Sequence, residues 1–210
     1  MGRTSAELPL SAYTRVMNRQ MTRLLRLVLA AATLAGCAAG VPWASDSEPA
    51  GPVKLDVIFV PTDLSIVNAM LTLAGVTRDD VVYDLGCGDG RIVIAAAKEF
   101  GARGVGVDLD PRRIREARAH ADRAGVGDRV TFRVEDLFDA DIRNATVVTL
   151  FLSPELNARL RPKLVSQLRP GTRIVSHRYG IADWVPERTI TVTVLETHHH
   201  VFLWRVPDRP

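Results

Sequence analysis

The run Asp84-Leu85-Gly86-Cys87-Gly88-Asp89-Gly90 constrains this chain more than any other segment. It follows the apolar Val81-Val82-Tyr83 and precedes Arg91-Ile92-Val93-Ile94-Ala95-Ala96-Ala97, so it reads as strand, tight glycine turn and helix. Three glycines at alternate positions let backbone pass close to a ligand where a Cβ would collide. The helix that follows opens with free N–H groups and a positive dipole end, which suit a carboxylate or a phosphate. Asp84 closes the strand, where a carboxylate can hold a ribose hydroxyl or an amino group.

The glycine spacing separates this turn from two better-known ones. A dinucleotide turn reads G-x-G-x-x-G, and here the third glycine stands one residue too early. No Gly-Lys-Ser or Gly-Lys-Thr follows, which removes the P-loop. A second acidic strand end accompanies the turn. Gly104-Val105-Gly106-Val107-Asp108 reads as the next strand, and its terminal carboxylate can accept both hydroxyls of a ribose.

A chain of 210 residues suits one α/β domain. Its formal charge of +3 is local to the N-terminus, where Arg3, Arg15, Arg19, Arg23 and Arg26 face only Glu7, so residues 37–210 hold 22 of the 27 basic and 23 of the 24 acidic residues. No basic face with interleaved aromatics is evident, and an extended grip on nucleic acid is not expected. Met21-Thr22-Arg23-Leu24-Leu25-Arg26 is a short positive segment and Leu27–Gly36 an apolar, alanine-rich run. That is the layout of an export signal, too short to span a bilayer, which takes ~20 residues. Residues 1–36 are therefore expected to be a signal peptide, and since the segment before Met21 fits no signal pattern, Met17 and Met21 are the candidate true starts. Residues 37–54 read as a Pro-, Gly- and Ser-containing tether, and 55–210 as the folded domain.

Within that domain a short extended segment, Leu55–Val60, leads to a helix after Thr62 carrying Ile66, Met70, Leu71 and Leu73. Strands are expected at about 81–84, 103–108 and 130–134, with helices at about 90–100 and from Pro111 to Ala124. Ala145–Leu152 is a continuous apolar run, as in a strand buried on both faces. Leu156, Leu160 and Leu164 follow at helical spacing, and Pro162 predicts a kink or two short helices there. Thr172–Ser176 reads as a fifth strand, and Thr189–Leu195 with Val201–Val206 as an antiparallel hairpin. Cys37 and Cys87 are the only cysteines and make no metal site. His198-His199-His200 points to alternating faces of a strand, which favours a hairpin edge over a metal centre.

Val81 to Asp108 resembles motif I and the acidic end of strand two in class I S-adenosylmethionine-dependent methyltransferases. Val134-Glu135-Asp136-Leu137 resembles their adenine-contacting stretch. The resemblance implies a Rossmann-like α/β fold of seven strands in the order 3-2-1-4-5-7-6, strand 7 antiparallel, with helices on both faces. It implies S-adenosylmethionine as cofactor. Asp84 and the Gly86, Gly88 and Gly90 backbone would take the methionine moiety, Asp108 the ribose, and Asp136 with Leu137 the adenine. Leu34-Ala35-Gly36-Cys37 resembles a bacterial lipobox, which implies lipidation of Cys37 and an exported, envelope-anchored domain; an intact N-terminus implies a cytoplasmic one.

A closer resemblance joins Val60-Pro61-Thr62, the Val81–Arg91 run, Ala145–Leu152, Lys163-Leu164 through Arg169–His177, and Trp184 with Pro186. These are similar to the small archaeal protein-lysine methyltransferases and their mitochondrial relatives. That family follows the threonine with proline, whereas Asp63 stands here. Thr62 is still expected to cap the helix and to touch the cofactor. By this resemblance Phe151, His177, Tyr179 and Trp184 line an acceptor channel, where aromatic walls suit a lysine stem and its ammonium. The implied partner is a protein with an accessible lysine. Phe151-Leu152-Ser153-Pro154 stands where an Asn/Asp-Pro-Pro-Tyr motif would mark a planar amine substrate.

The sequence leaves two further functions open. One keeps the cofactor but transfers to a small-molecule oxygen or nitrogen. The other is an exported lipoprotein that keeps the fold as a binding module, because the lipobox would carry the domain away from a cofactor made in the cytoplasm.

Overall fold

A computed structural model describes residues 60–208. The expected signal peptide, Cys37, the expected tether and residues 55–59 of the expected extended segment lie outside the described residues. Seven strands form one sheet in the order β3-β2-β1-β4-β5-β7-β6, the order the resemblance implied. The elements run α1 (Leu64–Leu73), β1 (Val81–Leu85), α2 (Arg91–Phe100), β2 (Arg103–Asp108), α3 (Pro111–Ala124), β3 (Val130–Val134), β4 (Val147–Leu150), α4 (Pro154–Gln167), β5 (Arg173–His177), β6 (Arg188–Val194) and β7 (Thr197–Arg205). The first five strands are parallel, and β7 lies antiparallel between β5 and β6.

The sheet separates two apolar layers. One gathers Ile66 and Met70 of α1, Ile92 and Val93 of α2, and Ile114 and Ala117 of α3 against Val82, Val147, Val175 and Val201. The other packs Leu156, Leu160 and Leu164 of α4 against Tyr83, Leu85, Val148, Ile174 and Trp204. Central strands with apolar side chains on both faces can exist only under such double cover. At the N-terminal edge, buried Asp80 accepts from the Thr77 amide at 2.8 Å and the Thr146 hydroxyl at 2.7 Å, and pairs with Arg173 of β5. That clamp leaves the opposite, C-terminal edge free for a site.

Three local expectations need correction. Asp63 rather than Thr62 caps α1: its backbone is extended and its carboxylate accepts from the Ser65 amide at 2.8 Å. Asp63 is held below the usual carboxylate range by Ser65, whose hydroxyl and amide both donate to it. Pro162 neither splits nor ends α4, which runs unbroken from Pro154 to Gln167. It sits on the exposed face, where water can take the carbonyl its missing N–H leaves unpaired. The final hairpin turns at Leu195 and Glu196, both with positive φ, so β7 already includes the three histidines. His198 and His200 face Thr193 and Thr191 of β6, while His199 points to the other side and meets His177.

Candidate functional site

The parallel sheet reverses its winding between β1 and β4, and a cavity of about 660 Å³ opens at the C-terminal ends of these strands. This is where open α/β sheets hold ligands. Five pieces of chain wall it: the β1–α2 turn, the β2–α3 loop, the stretch after β3, the loop after β4 and the loop after β5. Val60, Pro61 and Thr62 close one side.

Asp84 stands at its floor, 2 % exposed. In register with it on β4, Thr149 donates its hydroxyl to Asp84 Oδ1 at 2.7 Å. Burial pushes the Asp84 carboxyl up to about 7, with the charges of Asp108 and Asp89 adding to it and the Thr149 bond opposing. Such a carboxyl gains most from a cation placed beside it.

The glycine turn begins by folding back on β2, where the Gly86 and Cys87 amides donate to the Val107 carbonyl at 2.8 and 2.9 Å. Gly86 lines the cavity, but Gly88 and Gly90 do not. Gly88 gives its amide to Asp108 Oδ2 at 2.8 Å. Gly90 has φ +79, and a Cβ there would lie 2.6 Å from the Phe132 ring, so it serves the packing of α2. The Asp108 Oδ1 accepts from the Asp110 amide at 2.9 Å. Asp108 thus joins the glycine turn to the β2–α3 loop while still facing the cavity, and each carboxylate oxygen keeps acceptor capacity for a hydroxyl.

Asp136 and Leu137 both line the cavity. The Asp136 carboxylate accepts from the Phe138 amide at 2.8 Å, which fixes the turn that presents Leu137 and Phe138. Phe151, Leu152 and Ser153 of the loop after β4, Leu156 of α4, and Arg178 and Tyr179 of the loop after β5 also line the cavity. Ser153 caps α4.

His177 and Trp184 are not part of the cavity lining, against the expectation that they line an acceptor channel. His177 is 2 % exposed and lies behind Phe151, the two ring centroids 4.2 Å apart. Its Nε2 meets His199 Nδ1 at 3.0 Å, and burial, with His199 and Arg178 nearby, lowers its pKa to about 4. A neutral imidazole packed on the back of the wall supports Phe151 rather than touching a ligand. Trp184 packs on Trp204, whose indole N–H donates to the Trp184 carbonyl at 2.8 Å.

Several cavity residues carried no signal in the sequence. Asp89 is buried and held bidentately by Arg91, at 2.9 and 2.6 Å, and Arg91 also donates to the Thr62 carbonyl at 2.6 Å. Burial raises the Asp89 pKa, but the Arg91 bonds and charge outweigh it and hold the group below the usual carboxylate range. This arginine fastens the Thr62 segment over the cavity. Asp110, capping α3 and paired with Arg112, is the other missed member.

Residues 84–188 match the family model described as the ANTKMT methyltransferase domain. The chain belongs to this methyltransferase family. It is 47% identical to a protein-lysine N-methyltransferase of Saccharolobus islandicus (strain REY15A), across 72% of this chain and 95% of that one. It is 35% identical to the adenine nucleotide translocase lysine N-methyltransferase of Mus musculus, across 85% of this chain and 78% of that one. A crystal structure described as an RNA methyltransferase from Salinibacter ruber in complex with S-adenosyl-L-homocysteine is 52% identical, with a TM-score of 0.68, covering 72% of this chain and 96% of that one. In this methyltransferase the matched span begins at the floor carboxylate Asp84 and takes in Asp108, Asp136, Phe151 and Tyr179. Thr62, which closes the cavity, lies before it.

Proposed function

We propose that the chain transfers a methyl group from S-adenosylmethionine to the side-chain amine of a protein lysine, with Asp84 at the centre of the cofactor site. The observation that carries this reading is a buried Asp84, pushed up to about 7, at the floor of a cavity whose second acidic wall, Asp108, is already oriented by two backbone amides. A floor carboxylate that favours a cation fits the cofactor's amino group, and Asp108 fits a ribose diol. Leu137 and Phe138 supply an apolar face for a purine, with Asp136 holding their turn. When bound, the cofactor would supply a sulfonium methyl whose carbon an amine lone pair can attack in line, the S–C electron pair leaving with the thioether sulfur of S-adenosylhomocysteine. The chain's part is then to align the amine, exclude water and let it lose its proton. Phe151 and Tyr179 offer aromatic faces for the ammonium and stem. Within the cavity a lysine amine is partly desolvated, which lowers its pKa and frees the lone pair. The named protein-lysine relatives support the same acceptor.

Blocking the acceptor tests it. A lysine-bearing protein is expected to take label from methyl-labelled cofactor, and the same protein with its lysines already fully dimethylated to take none. Equal labelling of both would exclude lysine.

RNA is the second reading, because the Salinibacter ruber relative carries that description. Residues 37–210 hold 22 basic against 23 acidic residues, and the cavity wall sets Asp84, Asp89, Asp108, Asp110, Glu135 and Asp136 against Arg91, Arg112, Arg113 and Arg178, an acidic excess that disfavours a polyanion. Label on small metabolites alone would select a small-molecule acceptor instead. Absence of any cofactor binding would select a binding module without transfer.

We further propose that Leu34-Ala35-Gly36-Cys37 directs export, with Cys37 lipidated and the domain anchored in the envelope. The positive-then-apolar order of Met21–Gly36 supports it. Mass spectrometry of the mature N-terminus in cells tests it: a diacylglyceryl Cys37 is expected, and an intact N-terminus would put the domain in the cytoplasm with its cofactor supply.

A further inference from the structure

The loop after β5 has a backbone that its sequence does not explain. Tyr179 donates its amide to the His177 carbonyl at 2.9 Å, closing a three-residue turn around Arg178, whose φ is +69. This is the rarer, strained form of γ-turn, and a bulky side chain at its centre adds to the strain. Arg178 and Tyr179 both face the cavity. Strain of this kind persists only where the surroundings hold it.

Two buried side chains hold it. Asn157 of α4 is 0% exposed and donates from one Nδ2 to the carbonyls of Tyr179 and Gly180, at 3.4 and 3.1 Å. Ser176, also fully buried, donates its hydroxyl to the same Tyr179 carbonyl at 2.7 Å. The Arg178 amide is taken by the His200 carbonyl of β7 at 2.7 Å. Asn157 commits its donors at the expense of its oxygen: Oδ1 is buried with no hydrogen-bond partner among the described residues. An apolar side chain would fill that place on α4 at no such cost. The polar choice therefore belongs to the loop rather than to the helix.

We propose that Asn157 is a positioning residue for the acceptor, acting through the Tyr179 backbone that it fixes in the wall of the same cavity that Phe151 lines. The inference rests on the reading that this part of the cavity takes the lysine. It separates two tasks within one cavity. Asp84 and Asp108 hold the cofactor, and α4 reaches across with Asn157 to set the shape of the acceptor wall.

The full chain tests it, as wild type, Asn157→Asp and Ser176→Ala. Three readings are taken: S-adenosylhomocysteine Kd by calorimetry, kcat and KM for a lysine-bearing protein, and amide exchange across Arg178–Ile181. Asn157→Asp replaces a donor with a carboxylate facing two carbonyls. It is expected to raise the acceptor KM tenfold or more, and Ser176→Ala about threefold, on the scale of one lost hydrogen bond. The Kd should stay within twofold, while the loop amides exchange faster in both variants. An unchanged KM with the loop still protected overturns the proposal. So does a parallel loss of S-adenosylhomocysteine affinity, which marks a general structural role. If the wild type puts no methyl group on lysine, the proposed function fails, and the exchange rates still decide whether Asn157 sets this loop.

Discussion

Asp84 and Thr149 are register partners on β1 and β4, and the Thr149 hydroxyl reaches Asp84 Oδ1 at 2.7 Å beneath the cavity. The single side-chain donor does not offset burial, so the carboxyl sits near 7 in the free protein instead of at 3.8. Between those two values the folded state binds a proton that the unfolded chain has released. Stability from this group is therefore greatest at low pH and is lost as pH rises toward about 7. His177, lowered to about 4 from 6.5, pulls stability the opposite way across part of this range. The Asp84 contribution is therefore read as the difference between wild type and Asp84→Asn in urea unfolding at steps from pH 4.5 to 7.5, and that difference should fall as pH rises toward about 7.

The same group links cofactor binding to protons. A cation at Asp84 needs the carboxylate, so S-adenosylhomocysteine affinity should rise with pH and level off above about 7. Thr149→Val removes the bond that lowers the pKa and should move that rise to higher pH. Asp84→Asn should weaken binding by about 1.5–3 kcal/mol, roughly 10- to 150-fold. Calorimetry across pH measures all three.

Gly90 joins a left-handed backbone to close contact, with φ +79 and the Phe132 ring 2.6 Å from where a Cβ would stand. Gly90→Ala should cost about 2–4 kcal/mol, summing the left-handed penalty and overpacking. Chemical denaturation gives the value directly.

Glycine spacing and apolar runs were enough to read the β1 turn and the two acidic strand ends, because each depends on a local pattern, whereas the strand order came from the family resemblance. His177 and Trp184 were misplaced because a strand-end position does not reveal which way the following loop turns. The γ-turn at Arg178 sends Arg178 and Tyr179 to the cavity, while the His177 ring packs behind Phe151. Arg91 was silent for another reason. An arginine at the start of a helix reads as solvated, and only the fold brings the Thr62 carbonyl within 2.6 Å of it.

Arg91→Ala should therefore have two effects. Buried Asp89 loses its guanidinium partner, at a cost of about 1–3 kcal/mol, and the Thr62 segment loses its tether over the cavity. Lower stability by denaturation should accompany weaker S-adenosylhomocysteine binding by calorimetry. Stability reduced without any change in binding would separate Thr62 from the site.

Phe151→Ala should act on the acceptor instead. Loss of one aromatic face is worth about 0.5–2 kcal/mol, roughly a 2- to 30-fold drop in kcat/KM for the acceptor protein. Cofactor Kd measured in parallel should hardly move.

The most direct measurement offers wild type and Asp84→Asn methyl-labelled cofactor with protein and RNA together, and then analyses the hydrolysed products. With the cofactor held below its wild-type Kd, the account predicts label in methylated lysine with wild type and a roughly 10- to 150-fold drop in Asp84→Asn. Label confined to nucleotides, or lysine labelling unaffected by Asp84→Asn, would contradict it.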